Sequence, residues 1–199
     1  MSSCGAANTI RHGTEPPSQW VRRWSHLVKP QGRVLDVACG HGRHAYYFSE
    51  LGHPVTLVDR SQEAMDAITL PPQVCEKVVA DIENGSWPLI GKQFDAVVVT
   101  NYLWRPLMPT LLASLAPGGV LLYETFAQGN ETVGKPSRPD FLLHPGELLT
   151  VCKNLVVVAF EDGFIQATDG KTARFIQRIA AVGQDAEGTK PARHLLTLT

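Results

Sequence analysis

Residues 33–38 read Arg-Val-Leu-Asp-Val-Ala and run directly into Gly40-His41-Gly42. A short run that is apolar on both sides of its backbone has no face to offer water. As a strand it is buried front and back, and so needs helices on both sides of its sheet. Runs of the same kind recur at 54–59, 75–80, 94–100 and 120–124. Helical signals lie between them. The stretch 41–51 closes on Gly52, Ser61 is an N-cap ahead of Ala64, Met65 and Ile68, and 107–115 is closed by Pro117-Gly118-Gly119. Strand and helix in alternation predict an α/β fold: a Rossmann-like, doubly wound sheet whose first five strands are parallel.

The flanks complete the expectation. Pro16-Pro17-Ser18 starts a helix carrying Trp20, Val21, Trp24, Leu27 and Val28 at helical spacing, ended by Pro30-Gln31-Gly32. His144-Pro145-Gly146-Glu147 starts another helix. The runs 154–160 and 173–182 are close enough to pair as a hairpin, which makes seven strands with one antiparallel. The chain reads as one domain over 1–199, with a loose arm at 1–14, the first helix in 15–30, a core at 33–182 and a loose tail at 184–199. The Gly- and Pro-rich stretch 127–140 is long for a connection, and such loops are usually functional.

A net charge of −1 with 19% charged residues gives no global field of the kind a nonspecific nucleic-acid binder uses, although Arg22, Arg23 and Lys29 lie close together. Cys4, Cys39, Cys75 and Cys152 are scattered with no zinc-ligand spacing, so reduced buried thiols and no metal are expected. No run is long enough to cross a bilayer and no signal-peptide core is visible, which predicts a cytoplasmic protein with no membrane partner.

Gly40-His41-Gly42-Arg43-His44-Ala45 fits G-x-G-x-x-G/A between a strand and a helix. Glycine lets a ligand approach the backbone, and the following helix offers free N–H groups. Asp59, at the end of the next run, can accept hydrogen bonds from two ribose hydroxyls. Together they suit a nucleoside with a flexible extension. Asp36, just before the loop, would repel a pyrophosphate and attract a cation. Asp81 can take the exocyclic amine of adenine, with Ile82 against the ring.

Val34-Leu35-Asp36-Val37-Ala38-Cys39-Gly40-His41-Gly42-Arg43 resembles the first motif of class I S-adenosylmethionine-dependent methyltransferases. Leu57-Val58-Asp59-Arg60-Ser61, Ala80-Asp81-Ile82, Phe94-Asp95-Ala96-Val97 and Leu115-Ala116-Pro117-Gly118-Gly119 match its later motifs in order. The form Cys39-Gly40-His41-Gly42-Arg43 looks like that of small bacterial methyltransferases of the tellurite-resistance type. The resemblance implies S-adenosylmethionine as cofactor. It places Asp59 on the ribose, with Arg60 beside it, and Asp81 and Ile82 around the adenine. It places Asp36, Ala38, Gly40 and Gly42 at the methionine end, and Asn101 facing the cofactor near the acceptor.

The implied reaction is transfer of a methyl group to a small-molecule acceptor, for which no catalytic residue is assigned. Acceptor-pocket candidates are Asn101, Tyr102 and Arg105, with Arg43 and His44. Trp104, Glu124, Thr125 and Phe126 stand nearby, Trp20 and Trp24 are a candidate roof, and 127–140 a candidate lid. Asn101-Tyr102-Leu103-Trp104 lacks the prolines of the Asp/Asn-Pro-Pro-aromatic motif, which argues against DNA as acceptor. A monomer or a homodimer fits, the latter through exposed apolar surface on the first helix. Two alternatives stand beside this reading: a nicotinamide (NAD)-dependent oxidoreductase, and a cofactor-binding scaffold that has lost activity and serves a partner protein.

Overall fold

The computed structural model describes residues 15–166, 173–184 and 193–196. The expected arm at 1–14 lies outside these residues, as does most of the tail. Seven strands form one sheet: β1 (Val34–Val37), β2 (Val55–Asp59), β3 (Cys75–Val79), β4 (Phe94–Thr100), β5 (Leu115–Phe126), β6 (Val156–Gln166) and β7 (Ala173–Val182). Their order is β3-β2-β1-β4-β5-β7-β6. The pairs β1–β2, β2–β3, β1–β4 and β4–β5 are parallel, while β7 runs antiparallel to both β5 and β6. This is the expected doubly wound sheet with one reversed strand.

All four residues of β1 are buried, because helices cover both faces of the sheet. On one face, Leu35, Val37, Val97, Val99, Leu121 and Ile179 pack with Met108 and Leu111 of α4 (Met108–Ala113) and Leu148 of α5 (Glu147–Val151). The other face belongs to Val34, Leu57, Ala96, Val98, Leu122 and Ala180. They pack under α1 (Gln19–Trp24), α2 (Arg43–Glu50) and α3 (Gln62–Asp66). The period of two along each strand assigns successive residues to opposite layers.

Helix α1 begins where the Pro-Pro-Ser signal places it: the Ser18 hydroxyl accepts from the N–H of Trp20 at 3.1 Å. Its apolar stripe serves the fold. Trp20 and Trp24 are each 1% exposed, pack edge to face at 5.7 Å, and Trp20 donates its indole N–H to the Ile179 carbonyl at 3.1 Å. Trp20 borders a surface cleft with Gln19, Arg22, Tyr47 and Arg178, and neither tryptophan lines the cavities at the carboxyl ends of β1 and β4. The apolar face that suggested a homodimer is spent on the sheet.

Several boundaries differ from expectation. The helix expected over 107–115 is α-helical only at 108–113, after a 3-10 turn at Arg105–Leu107. Pro117-Gly118-Gly119 does not end a helix but bulges inside β5, whose pairing jumps from Phe94↔Leu115 to Ala96↔Val120. A Cβ on Gly119 would lie 2.8 Å from the Ala116 carbonyl oxygen and 2.9 Å from that of Phe94, so the bulge admits only glycine. The strand expected at 154–160 starts at Val156 and continues to Gln166, because β7 offers it partners that far.

The stretch 127–140 is held in place. Asn130 is buried, donates to the Pro136 carbonyl at 2.9 Å and accepts from the Phe175 N–H at 3.2 Å. No helix among the described residues is long and apolar enough to cross a membrane. Trp20→Ala should lower the unfolding free energy by about 3–5 kcal/mol, the cost of emptying a large aromatic site. Urea denaturation checks it, and a loss under about 1 kcal/mol would mean that α1 is not part of the core.

Candidate functional site

Strand order reverses between β1 and β4, so a crevice opens beyond their carboxyl ends. The backbone there is bent into rare conformations. Ala38 and Asn101, at the ends of the two strands, have φ of +52° and +55°, and Gly40 and Gly42 have +53° and +74°. At Gly40 an added Cβ would meet nothing within 4 Å, so its bareness leaves room in the crevice and packing does not require it. At Gly42 a Cβ would lie 2.8 Å from Ile68 Cδ1, so this glycine lets α2 approach α3 closely.

Asp59 fixes the loop. Its carboxylate accepts the Gly40 N–H and the Ser61 N–H, each at 2.8 Å, tying the end of β2 to the glycine turn and to the start of α3. Asp59 also lines a cavity with Ala38, Arg60, Ala80, Asp81, Ile82, Glu83 and Tyr102. Asp81 caps its own turn, accepting from the Glu83 and Asn84 N–H groups and the Asn84 amide at 3.0–3.2 Å. The Asn84 side chain and those backbone donors hold its carboxyl below the usual range. An adjoining cavity is lined by Glu15, Ala38, Cys39, Gly40, His41, Arg43, Ser61, Ala64, Thr100 and Asn101.

The residues fit the cofactor implied by the motifs. Ile82 and Ala38 give an apolar slot, with carboxylates at both ends. Among the buried polar atoms without partners, the Tyr102 hydroxyl stands on this wall. Burial, then the nearby Glu83 carboxylate, raises the Tyr102 pKa and keeps its phenol a donor.

Of the residues expected at the site, Ala38, Gly40, Asp59, Arg60, Asp81, Ile82 and Asn101 gather around these two cavities, with Gly42 supporting the loop. Asp36 lines neither cavity; it is buried in β1 beside His44. Tyr102 stands with Asp59 and Asp81 instead of beside an acceptor. His44 is 1% exposed; its Nε2 accepts the Ser18 N–H at 3.2 Å, and its Nδ1 lies 3.8 Å from Asp36. It faces the helix layer and not open space. Arg105 is also spent: it makes a two-armed pair with Glu147 at 2.7 and 2.9 Å and donates to the carbonyls of Asp140 and Leu142. No residue of 127–140 lines either cavity, so the loop is not placed as a lid.

Glu15, Thr100 and Glu83 were missed. Thr100 and Glu83 each sit one residue from an expected position, and that adjacency was the available signal. Glu124, expected near the acceptor pocket, is instead buried, accepts from the Ser18 hydroxyl at 2.9 Å and pairs with Arg178 at 3.1 Å. The Arg178 guanidinium also lies over the Trp20 ring at 4.8 Å. Cys39, Cys75 and Cys152 are buried and free, and burial pushes the Cys152 thiol up to about 12.

Comparison with known proteins agrees with this geometry. Residues 34–119 match the family model described as a methyltransferase domain. The chain is 34% identical over 100 residues to a malonyl-acyl-carrier-protein O-methyltransferase of Enterobacter lignolyticus (strain SCF1), covering 48% of this chain and 39% of that one. It spans less than half the length of the curated relatives it matches. Among solved structures, TehB from Haemophilus influenzae superposes with a TM-score of 0.66 at 20% identity, covering 80% of this chain and 60% of that one. The glycopeptide N-methyltransferase MtfA, solved with S-adenosyl-L-methionine, superposes at 0.56 with 22% identity, covering 82% and 92%. At these identities the structures speak to the fold.

Two outcomes test the site. Burial pushes the Asp36 carboxyl up to about 7 from 3.8, with Arg43 drawing it back. The folded state therefore holds a proton that the unfolded chain has lost between these values, and this term makes stability fall as pH rises through that window. Burial, then Arg43, pushes the His44 imidazole down to about 3 from 6.5, so its term makes stability rise between those values. The two slopes oppose each other. Asp36→Asn should leave only the rise and His44→Gln only the fall, read as urea midpoints between pH 3.8 and 6.5; an Asp36→Asn profile parallel to the wild type would overturn the assignment. Arg105→Ala should cost about 1–2 kcal/mol of stability and speed amide exchange at residues 140–143. Unchanged exchange there would show that the clamp does not hold the segment.

Proposed function

We propose, from the methyltransferase-domain match over residues 34–119, that the protein is a class I S-adenosylmethionine-dependent methyltransferase that binds S-adenosylmethionine and transfers its methyl group to a small-molecule acceptor. The observation that carries the reading is the Asp59 carboxylate, fixed by two backbone donors at 2.8 Å on the wall it shares with Asp81, Ile82 and Tyr102. A carboxylate held in this way keeps lone pairs for two ribose hydroxyls without having to be reoriented. Asp81 faces the exocyclic amine of the adenine, Ile82 and Ala38 cover the ring, and Arg60 closes the edge.

The bound cofactor supplies a methyl group on a sulfonium leaving group, so the residues position reactants and need not cleave a bond themselves. Asn101, just past the end of β4, has its N–H fixed to the Glu124 carbonyl at 2.9 Å and lines the cavity with Gly40, Arg43 and Thr100. A general base is required only for an acceptor that must lose a proton first. The same reading treats 1–199 as one methyltransferase domain with its core at 33–182. The domain match sets aside the nicotinamide-dependent alternative.

Titration calorimetry with S-adenosylmethionine and then S-adenosylhomocysteine tests the reading, and micromolar binding of both is expected. Asp59→Ala should weaken both by about 1.5–3 kcal/mol through lost charged hydrogen bonds. Unchanged affinity in this variant would remove Asp59 from the ribose, and binding of neither compound by the wild type would overturn the function.

A further inference from the structure

Arg43 is the first residue of α2, and its guanidinium lines the cavity that contains Gly40, His41, Thr100 and Asn101. Its side chain is only 16% exposed, and its carboxylate partner among the described residues is Glu15, with Oε2 at 3.2 Å. Thr100 Oγ1 lies at 3.4 Å and the Pro16 carbonyl at 3.5 Å. Arg105 instead meets Glu147 with two arms, at 2.7 and 2.9 Å. Arg43 holds its carboxylate through one longer contact, without that fork.

Arg43 shares its cavity with the bare turn at Gly40 and with Thr100 and Asn101. A guanidinium on such a wall can receive the carboxylate of an amino-acid group lying along the turn. Glu15 already offers Arg43 a carboxylate, supplied by the chain itself just ahead of Pro16-Pro17.

We propose that Glu15 competes with the amino-acid carboxylate of the methyl donor for Arg43, so that donor binding exchanges one carboxylate for the other and frees the entrance to α1. The inference rests on the donor assignment above. Arg43 thereby leaves the acceptor pocket and becomes the residue that distinguishes the whole donor from its nucleoside half.

Calorimetry on the full chain separates the cases, with S-adenosylhomocysteine and 5′-methylthioadenosine, which lacks the amino acid, as probes. The wild type should bind both. Arg43→Gln should weaken S-adenosylhomocysteine by about tenfold or more and leave 5′-methylthioadenosine within about twofold, the second result also showing that the variant is folded. Arg43→Lys, which keeps the charge without the fork, should fall between. Glu15→Gln should tighten S-adenosylhomocysteine by about threefold, leave the nucleoside unchanged, and have no effect once Arg43 is Gln. Equal loss of both probes in Arg43→Gln, or loss of neither, overturns the Arg43 assignment. A neutral Glu15→Gln overturns the competition. A wild type that binds neither probe overturns the donor reading itself.

Discussion

Strand β1 is four residues long and wholly buried, and it holds a carboxylate, Asp36, in its third position. An acid in such a place is tolerated only where charge or hydrogen bonding offsets its desolvation. Here the protein supplies a neutral imidazole 3.8 Å away and a guanidinium beyond it, and leaves one oxygen unserved. The burial that makes β1 the centre of the sheet thus holds a carboxyl of raised pKa two residues before the positive-φ turn at Ala38. Fold and site share one constraint.

A second carboxylate organises the opposite wall. Asp59 binds the backbone of the glycine turn and of α3 at once, so its position depends on the register of β1 against β2, in which Val37 pairs with Val58. Shifting that register by one residue would turn Asp59 to the other face of the sheet. Positive φ at Ala38 and Asn101 concentrates unusual backbone at the ends of two neighbouring strands. Such outliers persist where surrounding structure fixes them, and they cluster at binding sites.

Away from the crevice, buried polar groups join the layers. Ser18 caps α1, donates to Glu124 and gives its own N–H to His44, while Glu124 pairs with Arg178 of β7. One serine therefore links helix α1, helix α2 and, through Glu124, the reversed strand. Arg105 plays the same part on the other face, where it gathers the carbonyls of Asp140 and Leu142 to Glu147. These arginines are long, planar donors that bridge elements distant in sequence.

The local signals were legible because each is carried by neighbours along the chain. Apolar runs without alternation gave β1, β2 and β4, Ser18 and Ser61 marked helix starts, and the glycine turn with Asp59 and Asp81 marked the walls of the crevice. The sequence by itself determined the strand–helix alternation, and with it the class of fold and the place of the crevice. It did not determine partners. Glu124 stands beside the acceptor-pocket candidates until the antiparallel register places Arg178 opposite it. Tyr102, His44 and Arg105 follow motifs that point toward an acceptor, yet their side chains turn to the wall shared with Asp59 and Asp81, the helix layer and Glu147. The bulge at Pro117-Gly118-Gly119 depends on β4 lying alongside. Backbone period and turn chemistry are local and survive in one dimension, whereas the direction of a long polar side chain is set by which distant carboxylate or carbonyl reaches it first, and only the packed layers decide that.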